Sequence, residues 1–282
     1  MPVYGWTGLA IILVAEGLLF GGVPLIGTYF TPVVWTGYIL FADGWVFAKR
    51  GRSLLTTGRR ELPLLLPFSI GSWLIFEGYN LLLKNWNYVD LPLPQPLRLI
   101  GFAWAFATIV PALRVTADLL EAHGAFANWR VRPVAFSRRA EAALLSLGAA
   151  LLLYPILFPS PYLFGLVWAG FIFLCDPLNR WLGGPSLLGD LREGKVQTFW
   201  CWFVGGTICG VLWEFWNYWA TAKWHYTVPI TAEWKIFEMP VAGYLGFGPF
   251  AVECYLMYNL AVLLGRRALR RSGAGPERGA AR

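Results

Sequence analysis

The sequence predicts an all-α, polytopic membrane protein. It has about eight transmembrane helices in two parallel four-helix repeats, with both termini cytoplasmic. Three observations carry this reading. Hydrophobic residues make up 57% of the 282 residues and charged residues only 14%, with a mean hydropathy of +0.53. Apolar stretches of about 20 residues, the length that crosses the hydrocarbon core, follow one another and leave no room for a soluble domain. Finally, the same motifs recur in the same order in the two halves.

The first repeat, residues 1–125, opens with a helix from about Thr7 to Phe30 carrying Glu16. No positive leader or cleavage site precedes it, so it is read as a permanent span. A second helix runs from about Pro32 to Ala48 with Asp43 inside it, followed by a basic loop containing Lys49, Arg50, Arg52, Arg59 and Arg60. The third runs from about Leu62 to Leu83 and holds Glu77 and Asn80. An aromatic, proline-rich loop from Lys84 to Pro96 leads to the fourth, about Leu97 to Leu120. Residues 126–139 form a basic cytoplasmic or interfacial linker, where Phe126 and Trp129 among arginines fit a segment lying flat on the membrane.

The second repeat, residues 140–265, has helices from about Ala140 to Phe158, Tyr162 to Trp181 (with Asp176), Gln197 to Ala222 (with Glu214 and Asn217) and Val241 to Gly265 (with Glu253). Residues 266–282 read as a basic, disordered tail. Lysine and arginine gather after the even-numbered helices, and the positive-inside rule places those loops in the cytoplasm. The net charge of +7 is thus assigned to topology, and nucleic acid is excluded as a partner. The membrane expected is the bacterial inner (cytoplasmic) one. Cys175, Cys201, Cys209 and Cys254 form no CxxC pair and read as free buried thiols.

The repeat is legible residue by residue. Trp35 through Asp43 resembles Trp168 through Asp176, and Ser53-Leu-Leu matches Ser186-Leu-Leu. Glu77-x-x-Asn80 matches Glu214-x-x-Asn217, and Trp86-Asn-Tyr88 matches Trp224-His-Tyr226. Each repeat holds an even number of helices, so both enter and leave on the same side and are parallel.

Carboxylates in hydrocarbon cost roughly 2.5–3.5 kcal/mol at a helix centre. Acids in these helices therefore point to function or to cross-helix bonding. The pair Asp43 and Asp176 is assigned to interhelical hydrogen bonding or capping. Glutamate and asparagine three apart share a helix face, so both Glu-Asn pairs are assigned to a site between the repeats, in the non-cytoplasmic half. Glu77 and Glu214 are the candidate catalytic acids. Trp73, Asn80, Trp86, Trp213, Asn217, Trp224, His225 and Glu253 are the candidate ligand-binding residues. No metal is assigned, because His225 has no ligand spacing around it, and no cofactor can be named.

A buried acid among tryptophan faces suits protonation of an alkene, because the rings stabilise the resulting cation. On Glu77, Glu214 and these neighbours the chain loosely resembles the small membrane terpenoid and carotenoid cyclases, including the lycopene cyclases. The runs Trp213-Glu-Phe-Trp-Asn and Phe237-Glu-Met-Pro240 also resemble segments of uncharacterised polytopic bacterial membrane proteins. The resemblance implies a tryptophan-rich membrane protein holding an isoprenoid, carotenoid or other lipid, with acid-catalysed cyclase or isomerase chemistry. Two alternatives stay open. One is a proton-coupled transporter or lipid translocator. The other is a structural pigment-, quinone- or lipid-binding subunit with partners in a membrane complex.

Overall fold

The computed structural model describes residues 1–271, and the chain is mostly helical. Helices α1 (Val3–Phe20), α2 (Pro24–Arg50), α3 (Leu62–Leu83) and α4 (Gln95–Ala122) form the first half, with strand β1 (Trp86–Val89) between α3 and α4. The second half holds α5 (Arg138–Leu157), α6 (Phe164–Trp181), the short α7 (Leu187–Arg192) and α8 (Gln197–Trp219). Strands β2 (Lys223–Tyr226), β3 (Lys235–Ile236) and β4 (Met239–Pro240) follow, and then α9 (Phe247–Arg271), entered through a 3-10 turn at Val241–Gly246. Among the described residues, six helical segments are long and apolar enough to cross a membrane: Val3–Phe20, Pro24–Arg50, Arg59–Leu83, Gln95–Ala122, Arg138–Leu157 and Val241–Leu269. The segments α6 and α8 are not among them; α6 carries Asp176, Asn179 and Arg180, and α8 is rich in tryptophan and holds Glu214 and Asn217.

The first boundary departs from the expected one. The chain breaks at Gly21–Val23, not between Phe30 and Pro32. Gly22 takes a left-handed φ of 75°, which glycine alone tolerates freely, and Pro24 starts the next helix, where its missing N–H costs nothing. Pro32 lies inside α2, and Tyr29, just before it, leaves helical backbone angles. Proline there kinks the helix without ending it. Arg266 to Arg271, expected in the tail, continue α9, and the rest of that tail, 272–282, lies outside the described residues. The linker 126–139 is extended after its first turns. Val131 N–H donates to the Gly194 carbonyl and Val134 N–H to that of Leu191, tying it to α7.

Helix α1 packs on α2, α5 on α6, α2 on α4, and α6 on α9, while α4 meets α8 across the halves. Glycine permits two of these approaches. A Cβ on Gly8 would stand 2.5 Å from the Gly37 carbonyl oxygen, and one on Gly148 would stand 2.8 Å from that of Gly170. Small residues at crossings let backbones touch, as in membrane helix pairs. Outward-facing α1 and α5 expose Leu13, Val14, Phe20, Leu153 and Leu157, the apolar surface that lipid would cover. All four cysteines are free and buried.

The two buried aspartates anchor the loops that follow their helices. Asp43 accepts from Tyr4 Oη at 2.8 Å, Ser53 Oγ at 2.7 Å and Leu55 N at 3.1 Å. Asp176 accepts from Leu187 N and Leu188 N at 2.8 and 2.9 Å, capping α7. Both do the bonding and capping work assigned to them.

On the opposite end, β1 and β2 pair antiparallel, with Trp86 opposite Tyr226 and Tyr88 opposite Trp224. These strands lie in stretches read as aromatic loops from sequence, and they join the first half of the chain to the second.

A Gly8→Val change is expected to lower the thermal midpoint of the detergent-purified protein. Its new atoms meet backbone at Gly37 and Phe41, and overpacking costs about 1–3 kcal/mol. Gly17→Val, where an added carbon meets nothing within 4 Å, is the control expected to stay near wild type.

Candidate functional site

A strand leaving a helix end exposes amides that need partners. Asn80 supplies them for β1. Its Oδ1 accepts from Asn85 N at 2.8 Å and Trp86 N at 3.1 Å, and its Nδ2 donates to the Trp86 carbonyl at 2.9 Å. Asn217 does the same for β2: Oδ1 accepts from Trp224 N at 3.0 Å, and Nδ2 donates to the Trp224 carbonyl at 2.9 Å. Each asparagine thus imitates a neighbouring strand. Both hold backbone, and neither lines the cavity described below.

Two residues beyond each clamped tryptophan, a tyrosine turns to the same side of its strand and reaches the glutamate. Tyr88 donates to Glu77 Oε1 and Tyr226 donates to Glu214 Oε1, the latter at 2.9 Å. Burial first, and the adjacent glutamate second, push both phenols well above their usual range, so both remain donors.

From here the two acids part. Glu77 Oε1 also accepts from Trp73 Nε1 at 2.9 Å and Trp86 Nε1 at 3.1 Å. Four residues before Glu214, where the first half has Trp73, stands Gly210, and the Phe247 ring fills the space in front of it. Trp224 Nε1 donates to Tyr226 Oη at 2.9 Å. Glu214 is 0% exposed, and its Oε2 has no hydrogen-bond partner.

Glu214 borders a cavity of about 170 Å³, near the ~150 Å³ of an apolar cavity able to hold a benzene ring. Trp35, Trp73, Trp86, Trp168, Trp213 and Trp224 line it, with Tyr88, Tyr226, Phe102, Phe106 and Phe250. Two further buried groups at its wall are unpartnered: Trp35 Nε1 and Thr31 Oγ1. The wall is therefore aromatic, with one free acid oxygen and two free donors.

The structure brings together Trp73, Trp86, Trp213, Glu214 and Trp224 from the sequence-derived candidates. Glu77 stands behind Trp73, Trp86 and Tyr88 and bonds to all three. His225 faces away: Nδ1 lies 2.8 Å from Glu238 Oε2, whose other oxygen accepts from Lys223 Nζ at 2.9 Å. Glu253 is 0% exposed on α9 with both oxygens unpartnered, apart from the cavity lining. Among the described residues no three His, Cys, Asp or Glu side chains gather to hold a metal ion. Sequence reasoning missed Trp168 and Trp35, which lie in the repeated Trp-x-Gly stretch, and Arg98 at the start of α4.

No protein-family model, curated protein or solved structure matches the chain.

Asn217→Ala is expected to destabilise the protein by about 1–3 kcal/mol, the cost of leaving buried backbone groups unpaired, read as a lower thermal midpoint. Burial opposes the Glu238 charge, but hydrogen bonds from Lys223 and His225 outweigh it and hold its pKa below the usual value. A lowered folded pKa gives stability that is present above the unfolded pKa, about 4.3, and is lost as pH falls through the folded one. The wild-type midpoint should therefore drop on acidification below about pH 4.3 more steeply than that of Glu238→Gln.

Proposed function

We propose that the chain is an integral membrane protein that holds a mainly apolar, isoprenoid- or lipid-type ligand in the aromatic cavity and acts on it with Glu214. In this reading α1–α6, α8 and α9 span the membrane as two parallel repeats. The termini and basic loops are cytoplasmic, in a bacterial inner membrane, and the strands lie on the other side. The paired glycine crossings, the two aspartate anchors and the two asparagine clamps support the repeat, since each stands at corresponding places in the halves.

The observation that carries the function is the free Oε2 of Glu214, a fully buried acid among the residues that line a cavity walled by tryptophan. A polar atom left unpaired in the interior costs free energy, and a ligand atom at that oxygen would recover it.

The reaction proposed is acid-catalysed isomerisation or cyclisation, with Glu214 carrying its proton when the ligand enters. The Glu214 O–H bond breaks as a C–H bond forms at one alkene carbon, leaving a cation on the next. Tryptophan faces stabilise that cation, and the apolar wall limits the water beside it. Loss of a proton from a neighbouring carbon to the Glu214 carboxylate forms the new double bond and restores the acid. Atoms and charge balance without any co-reactant. Glu77, whose Oε1 takes three donors, holds the wall in place and does not act on the ligand.

The test begins with gentle purification from native membranes and mass spectrometry of whatever small molecule accompanies the protein. Glu214→Gln keeps the shape and removes the proton. It is expected to cut turnover of that molecule by at least about 100-fold, the scale of general acid catalysis, with binding retained. Glu77→Gln should lower stability first. Unchanged turnover in Glu214→Gln would refute the catalytic reading, and stoichiometric protein partners with no small molecule would favour a complex subunit.

A further inference from the structure

The cavity has a charged rim as well as an acid inside. Arg98, in the first turn of α4, lines it and is half-buried. Its Nε and Nη2 both donate to the Pro92 carbonyl, at 3.2 and 3.1 Å, which fixes the guanidinium plane. Among the described residues Nη1 has no acceptor and no carboxylate lies within ion-pairing distance; Asp90, on the same loop, is not paired with it. Lys223 lines the same rim, since β2 places it opposite Val89, three residues before Pro92. Glu238 already offsets the Lys223 charge. The rim therefore carries one uncompensated cation, held rigid.

A half-buried guanidinium with no counter-charge is costly, and its planar fork matches oxyanions. Depth orders the two ends of the site. Glu214 lies five residues before the end of α8 at Trp219 and is 0% exposed, about 8 Å inward at 1.5 Å per residue, whereas Arg98 lies three residues into α4 from Gln95, about 5 Å by the same rise, and is only half-buried. The uncompensated positive charge is at Arg98 and the acid that enters the reaction protonated is at Glu214, so the place of an anion is the rim.

We propose that the rim at Arg98 is a headgroup subsite for an oxyanion, so that the ligand is an anionic amphiphile with its head at Arg98 and its apolar chain running toward Glu214. This rests on the cavity being a ligand site, and it narrows the ligand class from any apolar lipid to a phosphate- or carboxylate-headed one.

The test uses the purified full chain in uncharged detergent and follows quenching of the cavity tryptophans. The probes are farnesyl phosphate, farnesol, farnesylamine and inorganic phosphate. Farnesyl phosphate should bind at least about tenfold tighter than farnesol, as expected for a charge-assisted contact. Arg98→Gln should erase that preference while leaving farnesol affinity unchanged, and Arg98→Lys should keep part of it. Inorganic phosphate alone should bind far more weakly than farnesyl phosphate. Equal binding of phosphate and alcohol in wild type overturns the subsite but leaves the apolar cavity standing, as does a preference for the amine. Inorganic phosphate binding as tightly as farnesyl phosphate overturns the amphiphile and leaves a free-anion site. Saturable binding by none of the probes removes the cavity reading and this inference together.

Discussion

The hydrogen bonding of two short strands at the helix ends governs this molecule. Unpaired amides at the edge of an apolar assembly are expensive, and Asn80 and Asn217 meet that cost from within their own helices. Each side-chain amide engages both the N–H and the carbonyl of a tryptophan. Once Trp86 and Trp224 are fixed in this way, strand alternation dictates where Tyr88 and Tyr226 point. The two phenols then set the orientation of Glu77 and Glu214. The ladder between β1 and β2 locks the two arrangements to each other, so the aromatic wall has a single shape.

The same device serves two ends. In the first half Trp73 and Trp86 complete the shell around Glu77 Oε1. In the second half Gly210 replaces the tryptophan, and Phe247 takes the space without offering a donor. Glu77 Oε1 takes three donors, whereas Glu214 takes Tyr226 and keeps Oε2 unpartnered. Two copies of a motif can thus differ in role while keeping their backbone geometry: one supports the wall and the other faces the cavity.

Much of the helical plan was legible in the sequence because apolar runs of this length have few alternatives. The α3 limits follow from the sequence directly, and α4, α5 and α6 fall within two residues of expectation. The first break was misplaced because Pro32 reads as a helix end, whereas Gly21 and Gly22 carry the actual turn. The strands escaped notice since four-residue segments such as Trp86–Val89 show too little alternation to register. The Glu-Asn spacing pointed to the helix ends beside the cavity but not to the division of labour. Asparagine proved to bind backbone, and His225 proved to face Glu238. Helical position alone could not tell that Glu253 lies off the cavity. Arg98 was invisible as a site residue because nothing in its own neighbourhood marks it; only the return of the Pro92 carbonyl toward it does.

The ladder joins strands that are far apart in synthesis. The chain from Trp86 to Lys223 takes on the order of ten seconds to make at about 5–20 residues per second. Throughout that interval β1 has an open edge, the kind of surface that recruits wrong partners. The Asn80 clamp is already complete, because every group it touches belongs to the same helix and the next few residues. It therefore fixes the start of β1 from within its own half, so that Trp86 is already set when β2 emerges.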